Sequence, residues 1–147
     1  MIAVDTNILV YAHRAEALFH AAAAHCMKEL AEGVVPWALP WQCLHEFLAV
    51  VTHPRIYATP TPLERALEQV NAWLESPLLD VLSESPTHWQ SLGALLRNGR
   101  IAGPRVHDAR IAALCMQHGV HVLWSADRDF NRFPQLKVVN PLVERQS

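Results

Sequence analysis

Short apolar runs alternate along this chain with longer segments of helical periodicity, and this alternation limits its fold more than any other feature. The apolar runs cover residues 2–4, 34–39, 78–82, 120–124 and 137–139. Strands that are apolar throughout are buried on both faces, and strands that alternate with helices form parallel sheets. The pattern predicts an α/β three-layer sandwich, with a central parallel sheet of four to five strands and helices on both faces.

Helical spacing of apolar residues fills the segments between these strands. The predicted helices cover about residues 8–11, 17–31, 40–53, 63–74, 85–96 and 105–118. Gly33 and Gly119 end two of them, and Pro40 opens another.

Composition favours one compact domain over residues 1–147, since 51% of the residues are hydrophobic and 18% are charged. A net charge of −2 excludes binding of nucleic acid through overall positive charge. No stretch reaches the roughly 18 apolar residues of a membrane span, and the N-terminus lacks the basic start of a signal peptide. We therefore expect a cytoplasmic protein that does not use a membrane. Most of the five tryptophans are predicted to pack in the core, although Trp37 and Trp41 flank a proline turn and could face a partner.

Cysteine and histidine do not form a zinc pattern. Cys26, Cys43 and Cys115 are odd in number and far apart, so we expect buried thiols rather than disulfides or zinc ligands. None of the nine histidines has convincing ligand spacing, and His107, beside Asp108, is the one most worth testing.

Acidic residues follow two of the predicted strands. Asp5 comes directly after the first strand, and Asp127 and Asp129 come after the fourth. Ligands of parallel sheets bind beyond the carboxyl ends of the strands, near the point where strand order reverses. If these two strands are neighbours, their carboxylates converge.

Two further acids, Glu46 and Asp108, interrupt helices that otherwise look buried. A buried carboxylate costs several kcal/mol unless it is paired. Lysine occurs only at positions 28 and 137, so a divalent metal is the simplest partner for several acids. Oxygen ligands suit Mg²⁺ or Mn²⁺ rather than zinc.

Each acid also has a simpler explanation when taken alone. Asp108 is favourable in the first turn of a helix through the helix dipole, and residues 5–7 could be only a capped turn. Glu46 could lie at the rim of an apolar stripe, and residues 125–129 could be an ordinary polar turn. The four positions together favour a site.

Charge along the chain favours a polyanionic substrate. Residues 1–96 hold four basic and ten acidic side chains, whereas residues 97–132 hold six arginines and three acids. Arginine suits bidentate phosphate contacts, although a solvated basic rim is the alternative. The candidate RNA contacts are Arg100, Arg105, Arg110 and Arg128.

The order and spacing of four motifs resemble the PIN-domain ribonucleases, and among them the VapC-type toxins of bacterial toxin–antitoxin pairs. The motifs are Asp5-Thr6-Asn7-Ile8-Leu9, Glu46 in the third helix, His107-Asp108-Ala109 after a Gly-Pro loop, and Ser125-Ala126-Asp127-Arg128-Asp129-Phe130. A Thr-His-Pro-Arg segment at 52–55 is similar to one group of these proteins, without an assigned catalytic role. The resemblance spans nearly the whole chain and implies a PIN-like, Rossmann-like sheet with the first and fourth strands adjacent.

The resemblance also implies roles for individual residues. The implied catalytic residues and metal ligands are Asp5, Asp108, Glu46 and Asp127. Asp129 matches an acid whose role is open between metal binding and loop structure. The implied supporting residues are Thr6, Asn7 and Ser125.

The implied activity is Mg²⁺-dependent endoribonuclease cleavage, with Mn²⁺ as a substitute, of tRNA or another structured RNA. An activated water would attack in line and leave 5′-phosphate and 3′-hydroxyl ends. The implied partners are the RNA, a VapB-like antitoxin and a second copy of the chain in a homodimer.

Two other readings remain open from the sequence. A non-catalytic PIN-like module would bind RNA or antitoxin without cutting. A phosphatase of the haloacid dehalogenase type also has an aspartate after its first strand, but it needs a second Asp where this chain has Asn7.

Overall fold

The computed structural model describes residues 1–128, 130 and 133–143, and its strands form one parallel sheet. The strands are β1 (Ile2–Val4), β2 (Trp37–Pro40), β3 (Leu79–Leu82), β4 (Val122–Trp124) and β5 (Lys137–Val139). Their order is β3-β2-β1-β4-β5, and every neighbouring pair is parallel. The predicted sheet is confirmed, with five strands.

The helices divide into two groups. They are α1 (Thr6–His13), α2 (His20–Glu32), α3 (Trp41–Val51), α4 (Leu63–Leu74), α5 (His88–Gly99) and α6 (Val106–Gln117), with a 3₁₀ turn at Gly103–Arg105. Helix α1 packs on α2 and α3, α3 packs on α4, and α5 packs on α6. The chain moves outward from β1 to β3 and then returns to β4. Right-handed crossovers therefore place α5 and α6 on the face of the sheet opposite α1, α3 and α4. Helices cover both faces, so the predicted three-layer sandwich is confirmed.

Strands β1 and β4 are adjacent at the centre of the sheet, as the resemblance implies. Val4 pairs with Trp124, and the N–H of Asp5 donates to the carbonyl oxygen of Trp124 at 2.9 Å. Strand order reverses here, so the carboxyl ends of β1 and β4 form the crevice in which such sheets bind ligands. Asp5 and Ser125 directly follow the paired residues Val4 and Trp124, so both lie at the same edge of the sheet, at this crevice.

Several predicted boundaries shift. Strand β2 begins at Trp37 rather than at Val34, because Pro36 has no N–H to donate to a neighbouring strand. Val34 and Val35 lie in an exposed bend instead. Helix α2 begins at His20 rather than at residue 17, and α5 begins at His88 rather than at residue 85.

The tryptophans do not all behave as predicted. Trp37 is fully buried and donates its indole N–H to the hydroxyl of Ser76 at 3.1 Å, so it does not face a partner. Trp89 is 76% exposed, and the expectation of core packing is wrong for it. Trp41 is 42% exposed. The three cysteines are free and buried, as predicted.

Within the described part of the chain, each helix is too short or too polar to cross a lipid bilayer.

Candidate active site

A cavity of about 290 Å³ lies at the carboxyl ends of β1 and β4, and predicted acids from four separate segments line it. They are Asp5, Glu46, Asp108 and Asp127. They follow β1, lie within α3, lie in the first turn of α6 and follow β4, respectively. The structure therefore brings these four side chains together. Asp129 and Arg132 lie outside the described residues.

Asp5 is held in place by hydrogen bonds from neutral donors. It is only 6% exposed, and its Oδ1 accepts the N–H of Thr6 at 2.8 Å. Its Oδ2 accepts the hydroxyl of Ser125 at 2.8 Å and the amide of Asn7 at 3.3 Å. The thiol of Cys43 lies 3.8 Å from Oδ1. Asp5 is also the N-cap residue of α1. The same carboxylate therefore stabilises the start of the helix and lines the site.

Burial dominates the electrostatics of Asp5. Burial raises the pKa of Asp5 from its usual 3.8 to about 6. Hydrogen bonds from Ser125 and Thr6 lower this pKa, whereas the negative charges of Glu46 and Asp108 raise it. A cation in the cavity would oppose the raising effects by favouring the ionised carboxylate.

Ser125 and Asn7 tie the segment after β4 to the end of β1. The hydroxyl oxygen of Ser125 accepts the amide of Asn7 at 3.2 Å and the N–H of Asp127 at 3.0 Å. The amide oxygen of Asn7 accepts the N–H of Ala126 at 3.1 Å. The supporting residues that the resemblance implied therefore lie in one hydrogen-bond network around Asp5.

Glu46 is exposed, so the premise that it interrupts a buried part of α3 is wrong. The core-facing side of α3 is formed by Cys43, Leu44 and Phe47, and Glu46 projects to the edge of the cavity instead. The hydroxyl of Thr6 donates to its Oε2 at 3.0 Å. Thr6 directly follows Asp5 in the sequence, so its hydrogen bond to Glu46 fixes the position of Glu46 relative to Asp5.

Gln42 is a residue of the site that the sequence reasoning missed. It lies one helical turn before Glu46 on α3, and its amide donates to the carbonyl oxygen of His107 at 3.4 Å. Its Oε1 is buried and has no hydrogen-bond donor within the described residues. His107 precedes Asp108, so Gln42 links the two helices that carry Glu46 and Asp108. The i, i+4 spacing from Glu46 was a signal that could have found it.

Comparison with known families identifies the fold. The PIN domain family model matches residues 2–136. This chain belongs to the PIN-domain family.

Curated relatives and solved structures agree with this assignment. VapC ribonuclease Mb2897 of Mycobacterium bovis and ribonuclease VapC43 of Mycobacterium tuberculosis are each 36% identical, over 97% of this chain and 96% of theirs. The PIN fold is also similar to VapBC2 of Rickettsia felis bound to promoter DNA, with a TM-score of 0.67 and 20% identity over 95% of this chain and 98% of that one. The toxin VapC20 of M. tuberculosis gives a TM-score of 0.63 and 18% identity over 89% and 93%. The relatives place this PIN domain among the VapC ribonucleases.

The acidic cavity of this PIN domain offers oxygen donors that suit a hard divalent cation. Within the described residues no three His, Cys, Asp or Glu side chains are close enough to form a complete metal site. Mg²⁺ does not require one, since it keeps several waters and binds through one or two carboxylates. No lysine or arginine is among the described residues that line the cavity. The donor set therefore fits a hydrated Mg²⁺ or Mn²⁺ ion.

None of the candidate arginines is among the residues that line the acidic cavity of the PIN domain. Arg128 is exposed next to Asp127, Arg105 ends the 3₁₀ turn before α6, and Arg100 is exposed at the end of α5. Arg110 lines a neighbouring cavity of about 500 Å³ together with Glu46 and Asp108. The Nε of Arg110 donates to Glu84 at 2.7 Å, so its guanidinium is already engaged.

Proposed function

We propose that this PIN domain is the toxin ribonuclease of a toxin–antitoxin pair and that it hydrolyses RNA phosphodiester bonds with Mg²⁺. The observation that carries this proposal is the placement of four carboxylates around one cavity, with Asp5 buried and fixed at its base. Relatives 36% identical over nearly their whole length are named ribonucleases. We also assign residues 1–147 to a single nuclease domain.

In this proposal Asp5 and Asp108 are the principal ligands of the cation, and Glu46 and Asp127 complete the site, directly or through water. Asp129 is a further candidate ligand. When bound, a divalent cation polarises the scissile phosphodiester and lowers the pKa of a water molecule. Mn²⁺ substitutes for Mg²⁺ because it accepts the same oxygen ligands.

The chain's own residues orient the substrate and the attacking water. Thr6, Asn7 and Ser125 keep the acids in place through the hydrogen bonds described above. The apolar walls, which include Val10, Tyr11, Val50 and Ile111, limit the entry of bulk water. Water attacks in line, without a covalent intermediate, and leaves 5′-phosphate and 3′-hydroxyl ends.

The arginines around the cavity contact flanking phosphates. Arg128 is next to Asp127 and Arg105 directly precedes α6, and they are the first candidates, followed by Arg100, which follows α5. Arg110 must exchange Glu84 for a phosphate. This exchange costs little, since exposed ion pairs contribute roughly 0–1 kcal/mol.

The partners follow from the family. The Rickettsia felis neighbour is a VapBC complex, and we infer that this chain likewise pairs with a VapB-like antitoxin. We also infer a homodimer, action in the cytoplasm, and tRNA or another structured RNA as the substrate.

Cleavage by the purified chain tests the proposal. Total RNA is incubated with the protein and Mg²⁺, with EDTA added in a parallel reaction, and the 5′ ends of the fragments are sequenced. The expected result is a defined set of 5′-phosphate ends that EDTA and Asp5→Asn both abolish. Fragments that persist in Asp5→Asn would refute the site, and RNA binding without EDTA-sensitive fragments would favour a non-catalytic binding module.

Growth of the host tests the toxin role separately. Expression of the chain alone is expected to slow growth, and co-expression with its antitoxin is expected to restore it. Unaffected growth at confirmed expression would remove the toxin role and leave the nuclease assay to decide the activity.

A further inference from the structure

A second cavity, of about 710 Å³, lies at the far end of α1 from the acidic cavity. It is enclosed by the end of α1, the connection from α3 to α4 and the start of α4. The two cavities share none of their lining residues. We propose that this Tyr57 cavity is a second RNA-binding subsite, which takes a nucleotide of the single-stranded RNA whose cleavage was proposed above. We use the name Tyr57 cavity for the part of this second cavity that is lined by Arg14, Glu16, Tyr57, Thr59, Thr61 and Arg65.

The Thr-His-Pro-Arg segment at 52–55 does not line this cavity, but it forms the turn that leads into the wall at Ile56 and Tyr57. The Nδ1 atom of His53 accepts the N–H of Arg55 at 3.0 Å. The carbonyl oxygen of His53 accepts the N–H groups of Ile56 and Tyr57, each at 3.2 Å. These bonds form a compact turn directly after α3. The turn brings Tyr57 against the end of α1 and gives the segment a structural role.

Arg14 fixes Tyr57 from the opposite wall. Its guanidinium carbon lies 3.9 Å from the centroid of the Tyr57 ring. It donates to the hydroxyl of Thr61 at 3.1 Å and to the carbonyl oxygen of Thr59 at 3.0 Å, and it pairs with Glu16. The Arg14 side chain is only 13% exposed. Because Arg14 is engaged in these contacts, its role is to position Tyr57 and not to bind the ligand. The ring of Tyr57 is therefore held in a fixed orientation before any ligand binds.

The exposed groups of the Tyr57 cavity suit a nucleotide. Aromatic rings and guanidinium planes are the surfaces on which single-stranded bases stack, and Tyr57 presents a half-exposed ring. Arg65 is exposed and makes no ion pair with another described residue, so its guanidinium is available for a phosphate. The carboxylate of Glu16 is neutralised by Arg14, and Glu64 and Glu68 do not line the cavity.

The distribution of charge supports an anionic ligand. Residues 1–96 contain ten acidic side chains and only four basic ones, Arg14, Lys28, Arg55 and Arg65. Arg14 and Arg65 line the Tyr57 cavity, and Arg55 lies in the turn beside it. Because Arg14 is paired with Glu16, Arg65 and Arg55 supply the net positive charge at this place in an otherwise acidic region, and local positive charge favours a polyanion.

Helix α1 runs from the acidic cavity to the Tyr57 cavity. On α1, Asn7, Val10 and Tyr11 line the acidic cavity and Arg14, two turns after Asn7 on the same face, lines the second. Nine residues separate Asp5 from Arg14, which is about 13 Å at 1.5 Å per residue. A stacked strand rises about 3.4 Å per nucleotide, so a nucleotide about four positions from the scissile phosphate reaches the Tyr57 cavity.

Binding of labelled RNA tests this subsite. Random-sequence RNAs of about 3 nucleotides, too short to reach from the acidic cavity to the Tyr57 cavity, and of about 14 nucleotides are titrated by fluorescence anisotropy into full-length protein that carries Asp5→Asn to prevent cleavage. Arg65→Gln is expected to weaken binding of the longer RNA by about tenfold, to leave the shorter RNA unchanged and to reduce the salt dependence by about one phosphate contact. Lys28→Gln is the matched control, since it removes one exposed positive charge from α2 without touching the cavity.

Substitutions of Tyr57 provide a second measurement. Tyr57→Leu is expected to weaken binding of the longer RNA, whereas Tyr57→Phe keeps the ring and is expected to bind normally. Folding of each variant is followed by thermal unfolding, and the Arg65→Gln result decides the question if Tyr57→Leu does not fold. Equal affinities of Arg65→Gln and the parent for the longer RNA would overturn the proposal.

Three further outcomes distinguish failure of this subsite from failure of the proposed function on which it rests. Unchanged RNA affinity together with weaker neutralisation by the antitoxin would make the Tyr57 cavity a protein-docking site and would overturn the RNA subsite. EDTA-sensitive cleavage at the parent rate in Arg65→Gln, with unchanged affinity, would remove the subsite alone. Absence of both RNA binding and cleavage in the parent chain would remove the proposed function, and the subsite with it.

Discussion

The hydroxyl of Ser125 donates a 2.8 Å hydrogen bond to Oδ2 of Asp5, and 120 positions of the chain separate the two residues. The contact exists because β1 and β4 are neighbours, with the two side chains directly after the paired ends of these strands. It is one of the bonds that lower the pKa of Asp5 against the effect of burial. Ser125 therefore links the geometry of the site to its ionisation.

Removal of this hydroxyl is expected to weaken the site more than the fold. Ser125→Ala removes a donor to Asp5 and an acceptor for Asn7 and Asp127, so we expect a loss of about 1–3 kcal/mol in the free energy of unfolding. The pKa of Asp5 rises further in this variant, and the acidic limb of the pH–rate profile for RNA cleavage moves to higher pH. Ser125→Thr keeps the hydroxyl and is the control. An unchanged acidic limb in Ser125→Ala would contradict the assigned role.

Stability is expected to depend on the ionisation of Asp5. The pKa of Asp5 is raised to about 6 in the folded chain, so the folded state binds more protons than the unfolded state between about pH 4 and pH 6. The free energy of unfolding therefore falls as pH rises through this window. Asp5→Asn lacks the effect, and its stability relative to the parent should increase by about 2.4 kcal/mol from pH 4 to pH 7. Urea unfolding in EDTA at both pH values measures the difference, and a constant difference would count against the buried, ionising carboxylate.

Mg²⁺ is expected to stabilise the folded chain at pH 7. A cation that binds only the folded state adds about 1.4 kcal/mol at ten times its dissociation constant. That corresponds to a rise of about 4 °C in the Tm of a domain of this size. NaCl at matched ionic strength controls for screening. Asp5→Asn should lose most of the rise, and an equal rise in both proteins would mean that Mg²⁺ binds elsewhere.

Thr6 is expected to act through Glu46. Thr6→Val keeps the shape of the side chain but removes the hydrogen bond to Glu46, and cleavage should slow by about tenfold, the value of one ordinary hydrogen bond. Thr6→Ser should cleave at nearly the parent rate. In a Glu46→Ala background, which lacks the acceptor, the same Thr6→Val change should have little further effect, because the two residues act as a pair. Additive effects of the two changes would show that they act independently.

The sheet was predictable because its strands are short and apolar throughout. The adjacency of β1 and β4 was not fixed by that pattern, since any order of five parallel strands buries such runs equally well. Only the resemblance to PIN domains implied this adjacency, and with it the convergence of Asp5 and Asp127. Their roles as metal ligands stay predictions.

Exposure was harder to predict than secondary structure. The apolar neighbours of Glu46 and Trp89 made both positions look buried, but each side chain lies on the outer surface of its helix. The Tyr57 cavity could not be predicted from the sequence, because it depends on how a turn after α3 packs against the end of α1. Residues 1–96 are acidic in sum, and a sum along the sequence does not show that Arg14, Arg55 and Arg65 lie at or beside one cavity.

The parallel pairing of β1 with β4 has a consequence for synthesis of the chain. Asp5 is synthesised well before the strand that completes its surroundings, which ends at Trp124. A ribosome-bound chain that has not yet released β4 lacks Ser125 and Asp127 beside Asp5. A host cell that makes such a toxin is therefore protected from each copy until β4 has paired with β1, and the antitoxin needs to meet only molecules that have reached this stage.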